Sequence, residues 1–125
     1  MFQINEDKSI YLTRGDACII KVKAKDKQGN IKTLHEGDVV RITVTDQKSC
    51  GNVVLQKDVK VNAEMTEVQI PLTRDETKLG NIISKPKDYW YEIELNPDTA
   101  PQTIVGYDED GAKVLKLFPE GGDVV

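Results

Sequence analysis

The segment Tyr89-Trp90-Tyr91-Glu92-Ile93-Glu94-Leu95 decides the fold. Tyr89, Tyr91, Ile93 and Leu95 occupy alternate positions, with Trp90, Glu92 and Glu94 between them. Successive side chains of a strand point to opposite faces, so this stretch has one apolar face for a core and one wet face. Moving outward, Cys18, Ile20, Val22 and Ala24 alternate with Lys21, Lys23 and Lys25 across the middle of the 17–25 segment. Val40, Ile42 and Val44 alternate with Arg41, Thr43 and Thr45, and Val68, Ile70 and Leu72 with Glu67, Gln69 and Pro71. Four such alternations are the signature of antiparallel, half-buried sheet.

Weaker stretches complete the pattern. Ile10 to Thr13 is short, and Val53 to Val61 alternates except at Lys57, which needs a bulge, an edge position or a snorkelling stem. Thr103 to Tyr107 and Lys113 to Phe118 flank Asp108-Glu109-Asp110-Gly111 and are expected to pair as a hairpin. Asp26-Lys27-Gln28-Gly29-Asn30 makes a second hairpin turn. Pro71 cannot donate to a ladder, which places the 66–72 strand at an edge or ends it there. Thr73-Arg74-Asp75-Glu76 has the capping-box spacing and Gly80 a stop, predicting one short helical turn near 73–79. The pattern predicts an all-β fold: an antiparallel β-sandwich, Ig-like in the loose sense, of about seven or eight strands, with a barrel as the alternative.

The chain of 125 residues suits one domain, read as 1–118, with 119–125 as a short C-terminal tail. Its net charge of −4, with lysines and acids interleaved, argues against nucleic acid, which calls for a basic stripe. No stretch approaches the roughly 20 apolar residues of a membrane span. Met1 to Asp7 carries acids where a secretory signal has bases, so the chain is read as non-secreted and not membrane-bound.

Residues with chemical potential each have a plainer explanation. Arg14-Gly15-Asp16 matches the integrin-ligand tripeptide, but a turn between two strands calls for the same composition. Asp108, Glu109 and Asp110 lack the closing glutamate of a calcium loop and read as a solvated turn. His35, the single histidine, reads as a surface loop residue, because zinc-ligand spacings are absent. A nucleophile pair of His35 with Cys18 or Cys50 stays open on sequence grounds. Cys18 reads as a small buried thiol and Cys50 as a loop thiol, with no spacing that favours a bridge. Trp90, on the polar side of its strand, is the one candidate ligand or interface residue; the alternative is that it covers the second face beneath a loop. Phosphate loops, dinucleotide fingerprints, nucleophile elbows and zinc-protease pairs are absent from the sequence. The expectation is therefore no enzyme, no catalytic residue, no cofactor and no metal.

Taken in order, Ile10-Tyr11-Leu12-Thr13-Arg14-Gly15-Asp16, Glu36-Gly37-Asp38-Val39-Val40-Arg41-Ile42-Thr43-Val44, Ile70-Pro71-Leu72-Thr73-Arg74-Asp75-Glu76-Thr77 and Tyr89 to Leu95 resemble a known group. They are similar to small β-sandwich proteins of phages and prophages of Gram-positive bacteria, including the N-terminal domain type of phage baseplate upper proteins. The similarity runs from about residue 9 to 107 and rests on turn-and-strand grammar. It implies a structural or assembly role in a tail or baseplate, in the virion or host cytoplasm. The implied partners are other protein subunits, either copies of itself or phage structural proteins. The alternative function is a carbohydrate- or ligand-binding module that uses Trp90 or the loops at one end.

Overall fold

A computed structural model describes residues 1–26, 28–48, 51–109 and 111–120. Nine strands form among them: β1 (Phe2–Ile4), β2 (Ile10–Thr13), β3 (Cys18–Val22), β4 (Val39–Thr45), β5 (Val53–Lys60), β6 (Val68–Leu72), β7 (Lys87–Leu95), β8 (Gln102–Val105) and β9 (Lys113–Phe118). The four alternating segments of the sequence become β3, β4, β6 and β7, with the expected residues buried except Cys18, which is half-buried. Seven strands make a mixed sheet in the order β1-β2-β9-β7-β4-β5, with β8 beside β7, while β3 and β6 pair as a second, two-stranded sheet. Ile20, Val22, Val68, Ile70 and Leu72 of the small sheet share one core with Val40, Ile42, Val44, Tyr89, Tyr91, Ile93, Leu95, Leu115 and Leu117 of the large one. Each alternating run buries its apolar face in that common core, which removes apolar area from water at about 25 cal/mol per Å².

The structure corrects the sequence reading in three places. First, β1 is an additional strand, giving nine; it pairs antiparallel with β2 through a turn in which Lys8 takes a φ of 71°. Three residues are too few to display a period, so only the pairing defines them. Second, the large sheet is not wholly antiparallel, because β2 runs parallel to β9, from Ile10 opposite Leu115 to Thr13 opposite Phe118. These strands lie at opposite ends of the chain, so no tight connection sets their relative direction.

Third, β8 and β9 do not pair as a hairpin. Both lie along one edge of β7, with β9 opposite residues 87–91 and β8 opposite residues 93–95. A strand edge takes one partner at each position, so the two follow one another, and a single bridge from Asp108 to Gly111 closes the turn between them. The short turn expected near 73–79 forms and does not extend into a helix: the Thr77 amide donates to the Thr73 carbonyl at 3.1 Å and the Lys78 amide to the Asp75 carbonyl at 3.2 Å. The capping box itself is present: the Thr73 amide donates to Glu76 Oε1 at 2.9 Å and the Glu76 amide to Thr73 Oγ1 at 3.2 Å. A costly nucleus followed at once by Gly80, with φ 59°, leaves no length to propagate a helix.

Two local expectations find their physical reason. Lys57 lies on β5, an edge strand, and its ammonium reaches past the core to Glu76 Oε1 at 2.8 Å and to the Pro71 carbonyl. Pro71 sits on β6, which among the described residues has β3 as its one partner, so its missing N–H costs no ladder bond on the other side. The turn at 26–30 closes with a bridge from Lys25 to Ile31 and Gly29 at φ 83°. Lys27 of that turn, Cys50, Asp110 and tail residues 121–125 lie outside the described residues.

Candidate functional site at an open strand edge

β3 pairs with β6 alone, so its second edge is open among the described residues. Which backbone groups face that edge follows from three contacts. Pro71, opposite Ile19, has no N–H, and its carbonyl accepts from Lys57 on the β5 side, so Ile19 and Pro71 are a non-hydrogen-bonded pair. Cys18, Ile20 and Val22 then exchange ladder bonds with Leu72, Ile70 and Val68. Further along, the Lys32 amide donates to the Ala24 carbonyl at 2.8 Å, keeping even-numbered residues turned inward along the same line. The Lys25 carbonyl points the other way and accepts from Gln102 Nε2 of β8 at 3.2 Å. The amide and carbonyl groups of Ile19, Lys21 and Lys23 therefore line the open edge, and Gln102 closes it at Lys25.

Beneath this edge is a cleft of about 360 Å³ between β3, the β1–β2 turn and the place where β8 joins β7. Ile10, Ile20, Val22, Tyr91, Ile93 and Val105 line its walls, and Ile4 stands at its margin. Its charged residues are one-sided: Lys8, Lys21, Lys23 and Lys25 against Glu67. The Tyr91 hydroxyl donates to the Lys8 carbonyl, tying the β1–β2 turn to the cleft wall, and burial raises the Tyr91 pKa above its ordinary value.

Trp90 lies on the face of the large sheet turned away from the core, between Thr45 of β4 and Val114 of β9. With Thr43, Thr45, Lys48, Glu92 and Tyr107 it lines a depression of about 110 Å³. Trp90 is half-buried, whereas Tyr107 is 77% exposed. Burial, with Glu94 nearby, holds the Glu92 carboxyl above its ordinary range.

The remaining sequence candidates are dispersed. Arg14 is 8% exposed and donates to the Gly80 carbonyl, and the Gly15 amide donates to Thr77 Oγ1 at 3.0 Å. The tripeptide thus seats the 73–80 turn, and its arginine is not displayed. Cys18 is a free, half-buried thiol whose pKa burial, aided by Asp16, pushes up to about 11. His35 is exposed in a loop where its amide donates to Asp38 Oδ2 at 2.9 Å. Cys18 pairs with Leu72 at one end of β6, while Leu34 bridges Met65 beyond the other. Roughly 20 Å of extended chain separates the two, so Cys18 and His35 are not brought together. Among the described residues no three histidine, cysteine or carboxylate groups gather as a metal site. Asp108 instead holds the buried Lys113 ammonium at 2.7 Å. None of the described helices could cross a membrane, since none forms.

Lys21, Lys23 and Lys25 were visible in the sequence as the wet face of a strand, whereas Lys8 lies in the β1–β2 turn. What marks them as a site is that β3 lacks a second neighbour among the described residues, which no local pattern encodes. Comparison of the chain with protein-family models, curated proteins and solved structures gives no match.

Proposed function

We propose that this chain is a non-enzymatic assembly module: an Ig-like β-sandwich that joins other protein subunits through its sheet edges. The observation that carries this reading is the β1 edge. Met1, Phe2 and Ile4 are all exposed there, with no charged residue within the strand. An exposed, uncharged apolar edge is a template for pairing with another chain, which monomeric proteins normally blunt with lysine, proline or a bulge. The sandwich reading draws support from the chain's path between sheets: β3 in the small sheet, β4 and β5 in the large, β6 in the small and β7 in the large. Together with the β2-β9-β7-β4-β5 order, this switching resembles the Greek-key connections of Ig-like domains. The resemblance to phage and prophage proteins supplies the setting, a tail or baseplate subunit in the virion or host cytoplasm.

Light scattering across a wide concentration range tests the reading. A discrete oligomer that dissociates in an Ile4→Lys variant is the expected result, and a strict monomer at high concentration overturns self-assembly. A second reading is favoured by Trp90, Tyr107, Thr43 and Glu92 around one depression, the ingredients of a carbohydrate platform. It predicts a change in Trp90 fluorescence on titration with glycans.

A further inference from the structure

We propose that the open edge of β3 accepts an added β-strand from a partner protein, an extended segment alternating apolar and acidic residues. The proposal deepens the assembly-module reading and rests on it. Ile19, Lys21 and Lys23 present their backbone donors and acceptors along one line, which suffices to register a strand of typical length. In an added strand, alternate side chains turn toward the core and meet the cleft lined by Ile20, Val22, Tyr91, Ile93 and Val105. The side chains between them turn outward beside Lys21 of β3 and Lys23 just beyond its end, both exposed like Ile19. The site thus supplies backbone bonds for affinity, an apolar cleft for one set of side chains, and a cationic row for the other.

Charge decides the occupant. The cleft gathers Lys8, Lys21, Lys23 and Lys25 on a chain whose net charge is −4, with Glu67 the one acid among its lining residues. A second copy that presented its own β3 would set lysine opposite lysine, and like charges directly across strands are destabilising. The lysines therefore guard the edge against self-pairing and select an acidic strand. Self-association through β1 and strand capture at β3 are consequently separate events on separate edges.

The test is amide hydrogen exchange and chemical-shift mapping by NMR on the full chain. The probes are a short peptide alternating valine and glutamate, a control alternating valine and lysine, and dodecanoate. The acidic peptide is expected to protect the Ile19, Lys21 and Lys23 amides and to shift the Ile20, Val22 and Ile93 methyls. The lysine peptide should do neither. Lys21→Pro removes an outward donor and should abolish the protection, while retained protection of Ile20 and Val22 reports an intact β3–β6 pair. Lys23→Glu, which needs no backbone change, should weaken acidic-peptide binding about tenfold or more.

Unprotected β3 amides at saturating acidic peptide would overturn the proposal. So would equal binding of the two peptides, or dodecanoate filling the cleft where neither peptide binds. If any of these results accompanies an oligomer that Ile4→Lys dissociates, strand capture fails while the assembly reading survives.

Discussion

Strands β3 and β4 carry nearly the same message in the sequence and have different fates in the fold. Cys18, Ile20 and Val22 alternate with Ile19, Lys21 and Lys23, and Val40, Ile42 and Val44 alternate with Arg41 and two threonines. β4 is flanked on both sides, by β5 and by β7, whereas among the described residues β3 has β6 alone. On β4 the outward side chains meet neighbours: Arg41 reaches Asp58 of β5 at 2.7 Å, and Thr43 Oγ1 accepts from Gln56 Nε2 at 3.3 Å. On β3 the outward lysines face solvent. A two-stranded sheet is marginal by itself, so β3 and β6 depend on the shared core and on tethers such as the Lys57–Glu76 pair. The lesson is that a half-buried alternation specifies a face but not a position within the sheet.

The largest test of this contrast is truncation of matched isoleucines. Ile42 of β4 and Ile70 of β6 are both 0% exposed. Ile42→Ala should cost about 4 kcal/mol, and Ile70→Ala about 2–3 kcal/mol, because a sheet with free edges can collapse on the cavity. Urea denaturation measures both, and equal or reversed costs would break the comparison.

Next in size is the turn that follows β6. A Cβ on Gly80 would stand 2.6 Å from the Tyr89 hydroxyl, at a φ of 59°. Gly80→Ala should destabilise by about 2 kcal/mol by thermal or urea unfolding. The Tyr89 hydroxyl is buried with no hydrogen-bond partner among the described residues, so Tyr89→Phe should be close to neutral. In the double variant the loss should be smaller than for Gly80→Ala alone, a coupling expected of groups in contact.

The tether comes third. The hydrogen bond from Lys57, and then that from the Thr73 amide, hold the Glu76 carboxyl below its ordinary range. A carboxyl with a depressed folded value contributes stability that is full above its unfolded pKa and is lost as pH falls through the folded one. Glu76→Gln should cost about 1 kcal/mol at neutral pH and flatten the acid limb of the stability curve. A variant with an unchanged acid limb would show that the small sheet does not rely on this tether.

The smallest effect belongs to the open edge. Ile19→Thr should change stability by less than about 0.5 kcal/mol, since its side chain is exposed. Hydrogen exchange in the free protein should alternate along β3, slow at Ile20 and Val22 and fast at Ile19 and Lys21. In β4, with partners on both edges, consecutive amides should all be slow.

Much of this could be read without coordinates. Period two in residues 18–24, 40–44, 68–72 and 89–95 identified the strands and their buried faces, because that pattern is local and burial demands it. Capping by Thr73 and Glu76 was likewise legible, since it involves atoms three residues apart. Tertiary structure alone decided the rest. It set β2 parallel to β9, placed β8 and β9 in succession along β7, and let the Arg14 segment seat the 73–80 turn. It also left β3 with a single neighbour among the described residues, which turned a row of lysines into the rim of a cleft. Pattern records which side of a strand is apolar. Pairing partners depend on competition among backbone edges distant in the chain, and that competition is resolved only when the common core assembles.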